Sequence, residues 1–380
     1  MKWLAAGLAF ASLAAAVPLT GGRAPTPLNV ELELQGNSKV KAVVTNNGSR
    51  NLKLLKLGTF LDEAPVERAQ VYSASDFSAT AGKTPRGTGF DDVGCQTYTN
   101  TKTVKQPVPF DGVYLSIDTS LLDDTSFETI PAGGSYETSF DIAEFHDLSA
   151  GGKFSVLSSG VLSYAEENTT ELVGSIPFYS NQIDAEVDGT QAFSVRTAFH
   201  SKRAQVQSDC NGDRFAVTQA ALAQCVSQAA AAQQAAANGP ADKMDEYFKR
   251  SDAATRATVA DVFAKITAAC GTIDSGEMRY YCSDVYGACK NGVLAYTVPN
   301  GNYMSYCDLY FDRLPATTTN CHGQDKGNTN LHEMTHLNQI KGTSDFGGYG
   351  YSFLRSLTAE QNINHADTYA LFAQAVSMSC

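Results

Sequence analysis

The decisive stretch of this sequence is LHEMTH at residues 331–336. Positions four apart lie on one face of a helix, so His332 and His336 can bind the same metal ion, with Zn–N distances of about 2.0–2.1 Å. Glu333 stands beside them and can accept a proton from a water molecule. The spacing predicts a helix that presents two metal ligands and a general base.

The flanking residues favour the same helix. An apolar stripe would form from Leu331, Met334 and Leu337, while Asn328 and Thr329 offer capping groups at the N-terminal end. Two histidines at this spacing can also be ordinary hydrogen-bonded core residues. A catalytic zinc ion has three protein ligands and one open position for water, so a third ligand decides between the two interpretations.

The third ligand is expected in the glycine-rich segment at residues 342–351. The residue six positions after His336 is Gly342 rather than a histidine, and between His336 and Tyr351 the acidic side chain is Asp345. Glycines let the backbone turn tightly and return a carboxylate to the metal. We predict that one zinc ion per chain is bound by His332, His336 and Asp345.

At these residues the sequence resembles the deuterolysin family of fungal zinc metalloendopeptidases, the aspzincins. That family combines H-E-x-x-H with a downstream G-T-x-D motif, matched here by Gly342, Thr343 and Asp345, and a Tyr-Gly pair follows. The resemblance covers residues 204–380. It implies a secreted zinc endopeptidase, made with a signal peptide and a large propeptide, that acts on basic proteins such as histones and protamine.

The resemblance also implies roles for residues outside the ligand set. A tyrosine of the family hydrogen-bonds the transition-state oxyanion, and Tyr349 is the first candidate, with Tyr351 and Tyr310 behind it. This chain has three residues between the aspartate and the Tyr-Gly pair where the family usually has two. Asp367 matches an acidic position in the last helix and is expected to orient a ligand or to face the substrate.

Nine cysteines are distributed unevenly, with Cys95 alone in the first half and eight after residue 200. An even, dense set in a secreted chain indicates four disulfides, and the absence of a C-x-x-C pair argues against a cysteine zinc site. The resemblance implies the bridges Cys210–Cys282, Cys289–Cys307 and Cys321–Cys380. The remaining two cysteines lie in neighbouring predicted helices, and we predict the bridge Cys225–Cys270.

The N-terminus has the layout of a secretory signal peptide, predicted at residues 1–18. Lys2 precedes an apolar run from Leu4 to Val17, which is shorter than the roughly 20 residues that a membrane anchor needs. An extracellular protein is therefore expected. The sequons at Asn47 and Asn168 are predicted surface glycosylation sites.

Strand-like alternation runs from Leu28 to Arg196, for example in residues 30–34, 154–162 and 191–195, and predicts an antiparallel β propeptide at residues 19–203. The dibasic pair at residues 202–203 is the predicted processing site. Residues 204–380 are predicted to form the catalytic domain, an α+β, zincin-like fold that is mainly α with a small β region. Its helices are expected at residues 215–237, 243–250, 254–269 and 358–378.

The formal net charge is −12, and residues 204–380 carry 12 basic and 17 acidic side chains, a net charge of −5. Such a surface disfavours nucleic acid and membranes and favours basic polypeptides. We expect a monomer, with His322 and His365 in structural roles. Two alternatives stay open: a secreted binding protein with a purely structural zinc site, and a zinc hydrolase that acts on something other than peptides.

Overall fold

The protein is an α+β structure in which most of the strands precede most of the helices. A computed structural model describes residues 25–77, 102–201, 209–271 and 278–380. The predicted signal peptide, Cys95 and the dibasic pair at residues 202–203 lie outside the described residues.

The N-terminal region, up to residue 201, consists mainly of antiparallel strands. Its strands are β1 (Leu28–Leu34), β2 (Lys39–Asn46), β3 (Leu52–Leu55), β4 (Gln70–Phe77), β5 (Lys102–Pro107), β6 (Tyr114–Ile117), β7 (Phe127–Ile130), β8 (Ser135–Asp141), β9 (Gly152–Leu157), β10 (Ser159–Ala165), β11 (Leu172–Tyr179) and β12 (Ile183–Val187). Its helices are α1 (Ile142–Phe145) and α2 (Gly189–Ser201), with 3-10 turns at Thr119–Leu121 and Asp124–Ser126. Eleven of these strands form three sheets, ordered β1-β2-β8, β11-β10-β3-β7 and β12-β9-β4-β5.

The predicted alternation in the first strand is confirmed. Val30 and Leu32 are buried whereas Glu31 and Glu33 are exposed, as period-two strands require. The strand predicted at residues 191–195 is wrong, because these residues belong to α2. Asp188 Oδ1 accepts the backbone N–H groups of residues 190 and 191, and this cap starts a helix directly after β12.

The C-terminal region, from residue 209 onward, is mainly helical. Its elements are α3 (Gly212–Asn238), α4 (Ala241–Phe248), α5 (Ala253–Gly271), β13 (Arg279–Tyr281), β14 (Val293–Val298), β15 (Tyr303–Tyr306), α6 (Asp308–Asp312), α7 (Lys326–His336), α8 (Gly350–Ser356), α9 (Ala359–Asn362) and α10 (Ala366–Met378). The helices predicted at residues 215–237, 243–250 and 254–269 correspond to α3, α4 and α5. One apolar core joins α3, α4, α5, α7 and α10.

The single helix predicted at residues 358–378 is instead two helices, α9 and α10. The chain leaves helical geometry between them so that the carbonyl of Asn364 can accept the backbone N–H of Ser344 (2.9 Å), and His365 forms a parallel β-bridge with Ser344. The break therefore anchors the loop that carries Asp345. Periodicity alone could not reveal it, because the competing hydrogen bonds come from a segment about 20 positions away in the sequence.

The fourth sheet combines the two regions in the order β13-β15-β14-β6. β14 lies in the middle, antiparallel to β15 on one side and to β6 on the other. α7 packs against β14, α3 and α10, and every residue of α7 is buried. The HExxH helix is thus enclosed by both regions of the chain.

Four disulfides cross-link the C-terminal region, and they join the pairs expected from the sequence: Cys210–Cys282, Cys225–Cys270, Cys289–Cys307 and Cys321–Cys380. The second of these bridges ties α3 to α5, and the fourth ties the C-terminal residue to the loop before α7. Among the described helices, none has the length and apolar character that a membrane crossing requires.

Candidate metal centre

α7 begins one turn earlier than the sequence indicated. Asp325 is the N-cap, and its Oδ1 atom accepts the backbone N–H of Asn328 (2.8 Å). The predicted capping by Asn328 and Thr329 is therefore wrong, because Asp325 caps the helix ahead of both of them. The predicted apolar stripe is confirmed and is fully buried: Leu331, Met334 and Leu337.

Three candidate ligand atoms converge at the C-terminal end of α7. The Nε2 atoms of His332 and His336 are 3.1 Å apart, and Asp345 Oδ1 lies 3.3 Å and 3.5 Å from them. A tetrahedral ion with bonds of about 2.0–2.1 Å separates its ligands by about 3.3–3.4 Å. The spacing of these three side chains therefore fits one tetrahedral metal ion.

The orientation of His332 is set by Asp367 on α10. Asp367 Oδ1 accepts a hydrogen bond from His332 Nδ1 at 2.7 Å, and its other oxygen accepts the backbone N–H of Gly350 at 2.6 Å. An ionised carboxylate can only accept, so Nδ1 carries a proton, and in the neutral imidazole the lone pair lies on Nε2, which points to the cluster. Asp367 therefore fixes the orientation of the His332 ring.

His336 is oriented in the same way by the backbone of the glycine-rich segment. Its Nδ1 atom donates to the carbonyl oxygen of Thr343 at 3.0 Å, so the lone pair lies on Nε2, which faces the cluster. The hydroxyl groups of Thr343 and Thr335 are 2.7 Å apart. The backbone N–H of Thr343 donates to the carbonyl of Thr335 (3.1 Å). The threonine of the G-T-x-D motif therefore fastens the segment to the end of α7.

Asp345 is carried by a tight turn that glycine makes possible. Gly342 and Gly347 have φ values of 68° and 77°, and a Cβ on Gly347 would lie 2.3 Å from the carbonyl oxygen of Val161. The Oδ1 atom of Asp345 is buried without a hydrogen-bond partner among the described residues. A buried carboxylate oxygen without a partner is costly, and a cation would satisfy it.

The pKa values of these groups reflect their burial and their mutual charges. Burial raises the pKa of Asp345 to about 8, although the charge of His332 opposes this shift. Burial alone would lower the pKa of His332, but Asp345 and Asp367 outweigh it and raise this pKa to about 9. Burial alone would raise the pKa of Asp367, but its hydrogen bond with His332 lowers it to about 2.

Glu333 lies beside the ligands but does not share their hydrogen bonds. Both of its carboxylate oxygens are buried without a partner among the described residues. Burial raises the pKa of Glu333 to about 7, and the charge of His332 opposes the rise. Its main chain is held by the Thr297 hydroxyl of β14, which donates to the Glu333 carbonyl at 3.1 Å. A carboxyl group that titrates near neutrality is suited to acid–base chemistry.

The three candidate tyrosines have hydroxyl groups with different partners. Tyr349 lies at the centre, where its hydroxyl donates to Asp345 Oδ2 at 3.4 Å. Tyr310 is buried in the helical core, and its hydroxyl donates to the carbonyl of Lys326 at the start of α7. Tyr351 points away and donates to Glu246 at 2.6 Å. Only Tyr349 of these three contacts a ligand side chain in the described structure.

The remaining sequence candidates lie outside the ligand cluster. His322 makes a hydrogen bond with the Tyr247 hydroxyl (2.5 Å), and His365 makes one with the Thr368 hydroxyl (3.0 Å). Both histidines therefore have packing partners of their own. The sequon residues Asn47 and Asn168 are exposed.

One residue at the centre was not predicted from the sequence. The ring of Tyr114, on β6, stacks on the imidazole of His336, with centroids 4.6 Å apart and planes 18° apart. No local spacing links residues 114–117 to a helix more than 200 positions later. The contact arises from strand pairing between β6 and β14, which a single sequence does not specify.

Comparison with known proteins shows which sequences and structures this chain is similar to. The sequence profile of the deuterolysin metalloprotease (M35) family matches residues 2–380. A neutral protease 2 homolog of Colletotrichum graminicola is 49% identical over 371 residues, 97% of either chain, and one of Phaeosphaeria nodorum is 44% identical over 374 residues, 98% of either chain. A solved zinc peptidase from Grifola frondosa has a TM-score of 0.37 and 19% identity, covering 44% of this chain and 97% of its own.

An HExxH helix whose two histidines meet a carboxylate, with a glutamate beside them, is typical of the metal-dependent peptidases. Among them, this chain belongs to the deuterolysin metalloprotease (M35) family. The resemblance found in the sequence is thereby confirmed, and the chain is a metalloprotease.

Proposed function

We propose that this metalloprotease is a zinc endopeptidase in which His332, His336 and Asp345 bind one zinc ion per chain. The observation that carries the proposal is the 3.1–3.5 Å separation of the three ligand atoms, which suits a tetrahedral ion. The donor set of two imidazoles and one carboxylate leaves the fourth position open. This favours a catalytic site over the structural zinc site of a binding protein, which four protein ligands would close.

A zinc ion held by His332, His336 and Asp345 would supply Lewis-acid chemistry, which would lower the pKa of a water molecule and polarise the scissile carbonyl group. The Glu333 carboxylate accepts the proton that the attacking water loses and then delivers it to the leaving amine. Both of its carboxylate oxygens lack a partner among the described residues, so the group is available to accept and release a proton.

Two further residues have proposed roles around the ligands. Tyr349 is placed to donate a hydrogen bond to the oxyanion, because its hydroxyl lies beside Asp345. Asp367 is a positioning residue that keeps the proton of His332 on Nδ1. We assign the oxyanion role to Tyr349 rather than to Tyr310, because the Tyr310 hydroxyl bonds to the main chain at the start of α7.

We propose the order of processing predicted from the sequence: a signal peptide at residues 1–18, a β-rich propeptide at 19–203 and a catalytic domain at 204–380, which is mainly α. The protein is then secreted as a zymogen, glycosylated at Asn47 and Asn168. The change from strands to helices near residue 200 supports this division. N-terminal sequencing of the protein recovered from the culture medium tests it: the mature chain should start at Ala204.

The proposed substrates are proteins, with basic ones such as protamine and histones favoured. The net charge of −5 on residues 204–380 supports this preference, since it attracts cationic chains. The test compares digestion of protamine and casein at low and high salt. A charge-driven preference should weaken with salt, whereas equal rates at both salt concentrations would remove the preference.

The proposed reaction itself is tested by digesting casein with the protein from the medium, with and without 1,10-phenanthroline. Internal cleavage that the chelator stops and added zinc restores is the expected result. Intact casein in the presence of bound zinc would instead favour a hydrolase that acts on other substrates. We propose that the enzyme works as a monomer, and light scattering tests that state.

A further inference from the structure

One strand of the sheet beside the metal centre comes from the N-terminal region. β6 pairs antiparallel with β14, and the register places Tyr114 opposite Thr297 and Ser116 opposite Ala295. Thr297 faces α7, because its hydroxyl bonds to the main chain of Glu333. Residues opposite one another across an antiparallel pair share a face of the sheet, so Tyr114 and Ser116 also face α7.

Tyr114 is held over the metal centre from the N-terminal side. Its ring stacks on His336, and its hydroxyl donates to Glu67 Oε2 at 3.0 Å. A second contact comes from Gly58, whose backbone is so close to Tyr349 that a Cβ there would lie 2.7 Å from the tyrosine hydroxyl. The N-terminal region therefore covers both a ligand and the proposed oxyanion donor.

These contacts close the centre. The exposed fractions of His332, Glu333, His336 and Asp345 are 2%, 0%, 0% and 5%. A peptide bond must reach these side chains to be hydrolysed, so the intact chain and a bound substrate compete for the same space. Without β6, β14 would be an edge strand of its sheet, with main-chain groups free to pair with an extended peptide.

We propose that β6 keeps this peptidase latent by occupying, on β14, the strand position of an extended substrate, with Tyr114 packed on His336. This inference rests on the proposed function, because latency has meaning only for an enzyme that cleaves peptides. Main-chain pairing accepts many sequences, so a segment of the enzyme's own chain can take the place of a substrate. Removal of the residues before Ala204 then exposes β14 and the centre together.

Polar contacts at the last residue of β6 and four residues before its first residue hold the strand in this position. Gln324 Nε2 donates to the carbonyl of Ile117 at 3.1 Å, and Asn300 Nδ2 donates to the carbonyl of Phe110 at 3.1 Å. Both contacts join a C-terminal side chain to the N-terminal main chain. While the chain is intact, β6 has a high effective concentration at β14. After cleavage between the regions the contact becomes intermolecular, and β6 can dissociate.

The test uses the full, zinc-loaded chain with Lys202→Ala and Arg203→Ala, which blocks the predicted cleavage. Adding Tyr114→Ala should raise cleavage of a fluorogenic peptide at least tenfold over this background. It should also speed amide hydrogen exchange at residues 293–298 at least tenfold, a measurement that does not depend on activity. The matched control is Tyr136→Ala, which removes a half-buried tyrosine of β8 in another sheet and should change neither quantity.

A synthetic peptide of residues 110–121 gives a second test that requires no folded variant. Added to the protein recovered from the medium after processing, it should raise KM for the fluorogenic substrate without changing kcat. The same peptide carrying Tyr114→Ala should compete at least tenfold more weakly. A peptide that does not compete would overturn the proposal, as would a Tyr114→Ala chain with unchanged exchange and unchanged cleavage.

An uncleaved background chain that is as active as the processed protein would also overturn the proposal. Failure of the proposed function has a different signature. In that case no form of the protein would cleave peptides, and the proposal of latency would fail as well. Amide exchange at residues 293–298 would still be faster in Tyr114→Ala.

Discussion

Asp367 Oδ1 lies 2.7 Å from His332 Nδ1, and both side chains are buried. This contact ties α10, the last helix of the chain, to the HExxH helix. It directs Nδ1 of His332 to Asp367 and therefore Nε2 to Asp345 and His336. The ligand geometry thus depends on a residue that the HExxH pattern does not contain.

The first prediction concerns this contact. Asp367→Asn removes the charge and places an amide NH2 near either His332 or the Gly350 N–H, so the imidazole loses its fixed tautomer. We expect zinc affinity to fall by about 10–100-fold. Competition with a chelating dye measures it. Asp308→Asn, at a largely exposed carboxylate, is the control and should bind zinc like the parent chain. Unchanged affinity in Asp367→Asn would contradict the positioning role.

The second prediction separates proton transfer from metal binding. Glu333→Gln keeps the shape of the side chain but cannot accept a proton, so we expect kcat to fall by about 10²–10⁴-fold. Zinc content, measured by atomic absorption, should stay at the parental level because Glu333 is not among the three ligands. A zinc-loaded Glu333→Gln enzyme with parental kcat would refute its role as general base.

The third prediction compares two tyrosines. Tyr349→Phe removes the hydroxyl beside Asp345, and we expect kcat to fall by about 10²–10³-fold with little change in KM. Tyr310→Phe removes a hydroxyl that bonds to the main chain in the helical core, and it should leave kcat unchanged. Steady-state kinetics on the processed protein decide the matter. If Tyr310→Phe lost activity and Tyr349→Phe did not, the assignment would be reversed.

The fourth prediction is a pH dependence of zinc binding. The pKa values of about 8 for Asp345 and about 9 for His332 mean that protons are held by the ligands at pH 7. Zinc needs both groups deprotonated, so its affinity should fall as the pH is lowered from 9 to 6. Calorimetry on the chelator-treated chain, in buffers of different ionisation enthalpy, should detect proton release at pH 7. Binding without proton release would contradict these shifts.

Much of the centre could be predicted from the sequence because it depends on short-range geometry. His332 and His336 meet because a helix turns once in about four residues, and Asp345 follows within one glycine-rich turn. The alternating first strand and the helices α3, α4 and α5 are likewise visible in local patterns. These features need no knowledge of distant contacts.

The features that could not be predicted depend on contacts between distant segments. The break before α10 exists because Asn364 and His365 pair with Ser344, and the stacking of Tyr114 exists because β6 pairs with β14. Neither the helix break nor the pairing of the strands is specified by the residues adjacent in the sequence. Tertiary hydrogen bonds decided both outcomes.

The most direct test of the central claim is the zinc content of Asp345→Ala beside that of the parent chain, measured by atomic absorption after dialysis against a weak chelator. The three-ligand centre predicts one zinc ion per parent chain and less than a tenth of that in Asp345→Ala, with circular dichroism unchanged. A folded Asp345→Ala chain that retains one zinc ion would contradict the assignment of Asp345 and, with it, the proposed centre.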